Sequence, residues 1–224
     1  MGLTTVELCA GAGGQALGLQ QAGFKHLALI DHDEHACGTL KRNFPGTKVI
    51  KADLLKPLDV SRFRGVDLLA AGLPCPPFSI AGKQLGAADE RNLFPAALEI
   101  IRDLRPKAVM IENVAGLLSP KFESDRAFIS ERFKKLGYVV DFRLLDAAEF
   151  GVPQRRPRVI IVALRRAFAD RFEWPTGGRE RVTVGDALYD QMAELGWRGA
   201  DRWARRANDV APTIVGGSKK HGDV

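Results

Sequence analysis

Apolar runs of strand length alternate with amphipathic segments of helix length from residue 4 to residue 164. Strands are predicted at residues 4–9, 26–31, 49–53, 66–71, 108–112, 139–145 and 158–164. Helices are predicted from the glycine-rich turn at 10–14 to residue 22, and at 34–43, 93–104 and 124–136. Strict alternation of this kind is typical of a mostly parallel sheet with helices on both faces. The sequence therefore predicts an α/β fold.

The alternation weakens after Leu164. Residues 174–178 (WPTGG) form a turn-rich break, and residues 182–195 are predicted as one short helix. We place a boundary in the segment that precedes this break. The prediction is an α/β domain over residues 1–168, followed by an incomplete basic region over residues 169–224.

The composition excludes several classes of protein. Hydrophobic residues make up 46% of the 224 residues, which suffices for a substantial core and argues against global disorder. The longest apolar runs are too short to span a bilayer and the N-terminus lacks the features of a secretory signal, so we expect a cytoplasmic location. The three cysteines form no CxxC pair, and segment 31–35 (DHDEH) lacks a recognised ligand spacing. We therefore expect neither a disulfide framework nor a bound metal.

The formal net charge is +6, and basic side chains are dense in the C-terminal third of the chain. They are Arg155, Arg156, Arg158, Arg165, Arg166, Arg171, Arg179, Arg181, Arg198, Arg202, Arg205, Arg206, Lys219 and Lys220. A basic surface suits an anionic partner such as nucleic acid, because each neutralised phosphate releases counterions. A moderately basic soluble enzyme explains the charge equally well.

The first candidate site is residues 6–14 (VELCAGAGG), a predicted strand that enters a glycine-rich turn and then a helix. Glycines let the backbone approach a ligand, and a helix N-terminus offers free N–H groups, so this crevice suits a nucleotide. Asp31 ends the next strand, where a carboxylate can accept both ribose hydroxyls, and Asp53 ends the third, where it could receive an adenine amino group. A tight turn without a ligand and an NAD site are the alternatives, although the spacing is not GxGxxG.

The second candidate is residues 72–79 (GLPCPPFS), which follow the fourth predicted strand. This order places Cys75 at the carboxyl end of a sheet strand, beside the same crevice. The surrounding prolines make a stiff loop that could hold the thiol in one orientation. A reactive cysteine needs exposure and a stabilised thiolate, whereas a buried structural cysteine is the commoner fate of an intracellular cysteine.

Two more segments carry charged residues at strand ends. Residues 110–114 (MIENV) place Glu112 where a buried strand ends, and residues 154–158 (QRRPR) lead into the last predicted strand. Arginine beside a buried strand usually needs an anionic or carbonyl partner. A solvated strand-end glutamate and a solvated basic loop are the alternative interpretations.

In this order, the segments GAGG, PCPPFS, ENV and QRRPR resemble the ordered motifs of the DNA cytosine-5 methyltransferases, of the bacterial restriction–modification type. Further similarity lies at residues 79–84 and 91–94, and residues 211–218 (APTIVGGS) resemble the ninth motif of the family. The resemblance is dense over residues 4–164 and thin beyond them. It implies a Rossmann-like, S-adenosylmethionine-dependent methyltransferase fold, with the catalytic and cofactor-binding domain followed by the start of a target-recognition part.

The resemblance also implies a reaction on double-stranded DNA. Cys75 would attack C6 of cytosine so that C5 becomes nucleophilic enough to accept a methyl group. Glu112 would contact N3 and the 4-amino group, Arg158 would contact O2, and Arg156 would support that arrangement. Because the ring faces lie inside the duplex, the target base would be flipped into the pocket.

The implied cofactor is S-adenosyl-L-methionine, which becomes S-adenosyl-L-homocysteine, and no metal is implied. The residues that match the family's cofactor contacts are Cys9, Gly11, Ala12, Gly14, Asp31, His32, Asp53, Leu54, Pro74 and Leu93. Asp31 and His32 would lie at the ribose, and Asp53 and Leu54 at the adenine. Cys9 departs from the aromatic residue often found there, and Asp31 replaces the more usual Glu.

The largest departure from the family is at the C-terminus. No match to the family's final motif occurs before Val224, and the stretch from Arg165 to Ala211 is short for a recognition domain. Either the chain is a fragment, or a second polypeptide completes it, or recognition is reduced. Three other functions stay open: methylation of cytosine in transfer RNA, a non-catalytic cofactor- or DNA-binding subunit, and an NAD dehydrogenase.

Overall fold

The computed structural model describes residues 2–73, 93–178 and 180–214. Its contacts divide the chain into two compact units. The first contains Met1–Arg143 and Val159–Phe172, and the second contains Leu144–Arg158 and Glu173–Val224. The chain crosses from one unit to the other three times, because the second unit also contains the internal segment Leu144–Arg158. The predicted division at residue 168 stays a prediction.

Within the described residues, seven strands form one sheet. They are β1 (Thr4–Leu8), β2 (Lys25–Asp31), β3 (Lys48–Lys51), β4 (Leu68–Ala71), β5 (Ala108–Val114), β6 (Tyr138–Asp146) and β7 (Pro157–Arg165). Their order across the sheet is β3-β2-β1-β4-β5-β7-β6. The pairs β1–β2, β1–β4, β2–β3 and β4–β5 are parallel. The predicted mostly parallel α/β sheet is confirmed, and each strand overlaps its predicted range.

Helices follow most of the strands, as predicted. They are α1 (Gly14–Gln21), α2 (Glu34–Asn43), α3 (Phe94–Leu104), α4 (Glu123–Lys135), α5 (Arg166–Ala169), α6 (Val184–Ala193) and α7 (Ala200–Arg206). The sequence analysis did not predict the short helices α5 and α7. In the part of the chain that the structure describes, no helix is both long and apolar enough to cross a membrane.

The two faces of the sheet are covered by different helices. Val6 and Leu8 of β1 belong to the main core cluster together with residues of α3 and α4, such as Leu98 and Phe133. The opposite face packs against α1 and α2, because Leu29 of β2 clusters with their side chains. Successive side chains of a strand point to opposite faces, so this division follows directly from the alternation along the strands. The predicted helices on both faces are confirmed for the first unit.

Asp67 ties together the amino ends of three neighbouring strands. Its Oδ2 accepts hydrogen bonds from the Thr4 backbone N–H and hydroxyl, both at 2.8 Å, at the start of β1. Its Oδ1 accepts one from Lys107 Nζ at 2.6 Å, directly before β5. The bond from Lys107 is the main reason why the pKa of Asp67 falls to about 2. The ionised carboxylate therefore stabilises the register of β1, β4 and β5.

We expect Asp67→Asn to lower the free energy of unfolding at pH 7 by roughly 2 kcal/mol, since one pKa unit corresponds to about 1.4 kcal/mol. The folded pKa lies below the unfolded value, so this contribution is present above about pH 4 and is lost as the pH falls towards 2. Urea denaturation at pH 7 and at pH 2.5 measures it. Asp103→Asn is the control, because the Asp103 carboxylate is exposed and pairs with Arg102. An equal loss for both variants at pH 7 would contradict this account of Asp67.

Candidate cofactor and active site

The candidate site lies where the strand order of the sheet changes direction. β1 and β4 are parallel neighbours, but β1 leads into α1 on one face, and α3, after β4, packs on the other. Connections that leave to opposite faces open a crevice at the carboxyl ends of the two strands, which is where open α/β sheets bind ligands. The glycine-rich turn after β1 lies at this position.

The turn adopts a backbone conformation that requires its small residues. Cys9, Gly11 and Gly13 all have positive φ, at 52°, 54° and 93°. A Cβ on Gly13 would lie 2.6 Å from Phe44 Cε2 and 2.9 Å from Leu40 Cδ2, so no larger side chain fits. A Cβ on Gly11 would meet no heavy atom within 4 Å, which leaves open space for a ligand against that backbone. The turn is therefore closed by α2 on one side and open on the other.

Asp31 fixes the turn to the end of β2. Its Oδ2 accepts a hydrogen bond from the Gly11 N–H at 2.8 Å, and its Oδ1 accepts one from the Asp33 N–H at 2.9 Å. The residue is 7% exposed. Each carboxylate oxygen can accept a second hydrogen bond, so the predicted interaction with a ribose remains available while the turn is held. The neighbouring His32 side chain is exposed, with Nδ1 3.5 Å from Asp31 Oδ1.

The predicted adenine-contacting residues follow β3. β3 ends at Lys51, two residues before the predicted end, so Asp53 lies in the connection and not in the strand. Asp53 is exposed, and its Oδ1 accepts a hydrogen bond from the Leu55 N–H at 3.0 Å. Leu54 is buried in the main core cluster. One Asp53 oxygen therefore holds the Leu55 N–H, and Leu54 anchors the connection in the core.

Cys9 is half-buried directly after β1. Burial, together with the negative charge of Asp31, raises the pKa of the Cys9 thiol to about 12. Since the thiolate is the nucleophilic form, Cys9 is an inert thiol at neutral pH. Leu93, the last of the predicted cofactor residues along the chain, precedes α3 and packs against the main core.

Glu112 lies next to the end of β4. Ala71 of β4 pairs with Ile111 of β5, so Glu112 is level with Gly72. β5 continues to Val114, two residues beyond its predicted end, and Glu112 is half-buried within it. The predicted Cys75 and Pro74 lie outside the described residues, as do residues 79–84 and 91–92 of the similar segments. Leu73, the last described residue before them, is buried.

Arg156 and Arg158 belong to the second unit. The Arg156 N–H donates to Asp146 Oδ1 at 2.8 Å, and Arg158 Nη1 donates to the Pro157 carbonyl at 2.9 Å. Arg156 therefore holds the start of β7 to the end of β6 through its backbone.

The basic segment QRRPR pairs with a much later part of the chain. Gln154 forms an isolated parallel bridge with Ala211, and the Arg155 N–H donates to the Ala211 carbonyl at 2.8 Å. Thr213 Oγ1 donates to the Arg155 carbonyl at 2.6 Å. The sequence analysis named both segments but did not predict that they pair.

A model of the C-5 cytosine-specific DNA methylase family matches residues 3–221 of the chain. The chain belongs to this family. It is 53% identical over 222 residues to the Type II methyltransferase M.NaeI of Lentzea aerocolonigenes, with 98% of this chain and 54% of the relative covered. It is 51% identical over 216 residues to M.NgoMIV of Neisseria gonorrhoeae, with 96% of this chain and 69% of the relative covered.

A solved structure supports the fold of this family member. The structure of a Spodoptera frugiperda DNMT2 mutant superimposes with a TM-score of 0.61 at 26% identity, covering 80% of this chain and 54% of that chain. The chain thus spans about half the length of M.NaeI and of this structural neighbour. Family membership confirms the resemblance seen in the sequence. The activity of the longer relatives is a proposal for this chain.

The glycine-rich turn of this family member gives a direct test. We expect Gly13→Ala to lower the free energy of unfolding by roughly 2–4 kcal/mol, because it combines an unfavourable positive φ with overpacking against Phe44. Gly18→Ala is the control, since a Cβ there meets nothing within 4 Å and lies inside α1. That change should raise the free energy of unfolding by roughly 0.5–1 kcal/mol. Urea denaturation of both variants checks it, and a Gly13→Ala protein as stable as wild type would refute the described turn.

Proposed function

We propose that this chain transfers the methyl group of S-adenosyl-L-methionine to C5 of cytosine in double-stranded DNA. The observation that carries the proposal is the position of Glu112, level with Gly72, in a chain of the C-5 cytosine-specific DNA methylase family. The PCPPFS segment follows Gly72 closely in sequence. In the proposed site, the carboxyl group of Glu112 and the thiol of Cys75 act on the same base.

Cys75 is the proposed nucleophile. Its thiolate forms a bond to C6 of cytosine; the C5–C6 π electrons shift to C4–C5 and those of the C4–N3 double bond to N3, so that C5 becomes the nucleophilic carbon of an enamine. Cofactor bound at the glycine turn would supply an electrophilic methyl group and leave as S-adenosyl-L-homocysteine. After methylation, a base removes the C5 proton, the C5–C6 double bond forms again and the sulfur–C6 bond breaks, which releases Cys75 as a thiolate.

Glu112 has the proposed role of stabilising the electron-rich ring. A hydrogen bond donated by its carboxyl group to N3 would strengthen as negative charge develops there, which lowers the barrier to the attack by Cys75. The second carboxyl oxygen would accept from the 4-amino group. Arg158 would hold the base at O2 and Arg156 would support it. Because these contacts reach ring atoms that are paired in a duplex, the base would have to be flipped out of the helix.

The proposed cofactor contacts are those implied by the match to the family, and the open side of the glycine turn supports them. The methionine portion would lie along Cys9, Gly11, Ala12 and Gly14, and the free N–H groups at the start of α1 would face it. The free acceptor positions of Asp31 would receive the ribose hydroxyls. Asp53 would bind the adenine amino group, with Leu54 and Leu93 as apolar walls. The residues that the structure describes thus fit an adenosyl cofactor.

We further propose that a missing part of the chain, or a second subunit, completes target recognition. The second unit contains the basic residues from Arg181 to Arg206, which suit contacts with phosphate groups. The family's final motif is not found in the chain, and M.NaeI is nearly twice as long as the part of it that this chain covers. Residues 169–224 would then be the start of a recognition part.

Methyl transfer with and without the proposed nucleophile tests the reaction. We expect radiolabelled methyl groups to pass from S-adenosyl-L-methionine to C5 of cytosine in unmethylated DNA. Cys75→Ser should abolish incorporation while the dissociation constant for cofactor stays within about twofold of wild type. Transfer RNA in a parallel reaction serves as the competing substrate, and preferential labelling of it would overturn the choice of DNA. Labelling of DNA by Cys75→Ser at the wild-type rate would remove the proposed nucleophile.

A second variant tests the proposed role of Glu112. Glu112→Gln should reduce kcat by roughly 100-fold or more, because an amide cannot transfer a proton to N3 as negative charge develops there. Glu131→Gln is the matched control, since Glu131 lies exposed on α4 and should leave kcat unchanged. Single-turnover methylation measures both rates. Near-normal turnover of Glu112→Gln would exclude Glu112 from the catalytic groups.

A further inference from the structure

Two prolines restrict the backbone of the segment QRRPR. Pro153 precedes Gln154, and Pro157 follows Arg156. A proline fixes its own φ, has no N–H to donate, and favours an extended conformation in the residue before it. The backbone donors between the two prolines are therefore those of Gln154, Arg155 and Arg156. The acceptors of the two arginine N–H groups decide how the segment is held.

A later part of the chain holds Arg155. Its N–H donates to the Ala211 carbonyl at 2.8 Å, and its carbonyl accepts a hydrogen bond from Thr213 Oγ1 at 2.6 Å. These three residues all belong to the second unit. Both backbone polar groups of Arg155 are thus bonded to residues 211–213.

The next residue, Arg156, is held by the side chain of Asp146. The Arg156 N–H donates to Asp146 Oδ1 at 2.8 Å, and the Arg156 carbonyl accepts from the Ala147 N–H at 3.3 Å. Asp146 is the last residue of β6 and is half-buried. The same Oδ1 accepts a hydrogen bond from the Ala148 N–H at 3.1 Å and so caps the short 3-10 helix Ala147–Phe150. One carboxylate oxygen therefore joins the end of β6, the turn after it and the residue before β7.

The chemistry of the Asp146 carboxylate suits this contact. An ionised oxygen accepts backbone hydrogen bonds more strongly than a neutral oxygen does. Arg156 is half-buried, so its N–H would carry a desolvation cost if it lost its acceptor. Pro157 then leads to Arg158 with a fixed φ, so the direction of the chain at Arg156 also sets where Arg158 begins.

We propose that Asp146 is a positioning residue for the arginines of the catalytic site, whose carboxylate holds the Arg156 peptide group so that the Arg156 and Arg158 side chains are presented to the target base. Asp146 acts through the backbone of the QRRPR segment, and it does not contact the reacting atoms. This inference rests on the proposed function in giving the two arginines their contact with the base.

Methyl transfer at saturating DNA tests the proposal with two substitutions. Asp146→Ala removes the acceptor, so kcat should fall by roughly 10- to 100-fold, because small misplacements of a positioned group slow a reaction by that much. Asp146→Asn keeps an oxygen that can accept both N–H groups, so kcat should stay within about threefold of wild type. The dissociation constant for S-adenosyl-L-homocysteine should stay within about twofold in both variants, because the proposed cofactor residues belong to the first unit.

Asp59 provides the matched control, because it makes the same local contact without the long-range one. Its Oδ1 accepts a hydrogen bond from the Ser61 N–H at 2.9 Å, two residues further along, just as Asp146 accepts from the Ala148 N–H. Asp59 is exposed, and within the described residues it accepts no hydrogen bond from a distant segment. Asp59→Ala should therefore leave kcat unchanged.

Hydrogen exchange of the Arg156 amide, measured by NMR, tests the contact without any reaction. We expect exchange at least about tenfold faster in Asp146→Ala than in wild type, and close to wild type in Asp146→Asn and Asp59→Ala. If Asp146→Ala does not fold, Asp146→Ser takes its place. The serine oxygen lies one bond closer to the backbone, so it can still accept from the Ala148 N–H but falls short of the Arg156 N–H.

Three results would overturn the proposal. They are a folded Asp146→Ala protein with kcat within about threefold of wild type, a loss of kcat in Asp146→Asn or Asp59→Ala equal to that in Asp146→Ala, and an Arg156 amide that exchanges at the same rate in every variant. A wild-type protein that transfers no methyl group to DNA would refute the proposed function instead. The exchange of the Arg156 amide would then still decide whether Asp146 holds the segment.

Discussion

The hydrogen bonds that the Asp31 carboxylate accepts from Gly11 and Asp33 are the interaction on which the rest of the site depends. β1 and β2 are parallel, so the chain must leave the sheet at the same edge after both strands. After β1 it does so through a turn with three residues of positive φ, a conformation that costs energy wherever the residue is not glycine. The hydrogen bond from the Gly11 N–H to Asp31, at the end of the neighbouring strand β2, offsets that cost. Each oxygen of the same carboxylate can accept one more hydrogen bond.

The surroundings of Cys9 make it an inert thiol. Cys9 has its pKa raised to about 12 by burial and by Asp31, so the charge that holds the turn also suppresses this thiol. Cys75, the proposed nucleophile, lies outside the described residues. The Cys9 thiol is a neutral group beside the glycine turn at neutral pH.

The sequence predicted the parts of the fold that depend on local pattern. The alternation of apolar runs predicted the position of every strand of the sheet. The observed ends of α2 match the prediction, and Asp33 caps the helix by accepting a hydrogen bond from the Ala36 N–H. α7 was missed because its short sequence, ADRWARR, has few apolar residues and packs on α6 through Gly185. The close packing of Gly185 against Ala204 is a tertiary contact, and the hydrophobic periodicity of the sequence does not predict it.

The sequence predicted which residue types form the candidate site, but it predicted few of the contacts between them. The order of GAGG, PCPPFS, ENV and QRRPR indicated the family, and the family model confirms it. The pairing of Arg155 with Ala211 joins residues more than fifty positions apart, which no local pattern predicts. The burial of Glu7 was not predicted, because a single acidic residue within a strand gives no local signal of it.

The most direct test of the account is a crystal structure of the chain with S-adenosyl-L-homocysteine. We expect the ligand along residues 9–14, with its ribose hydroxyls about 2.6–3.2 Å from the Asp31 carboxylate while the bond from Gly11 persists. A ligand bound elsewhere, or an Asp31 that releases Gly11 in order to reach the ribose, would contradict the central claim that one carboxylate both shapes the turn and binds the cofactor.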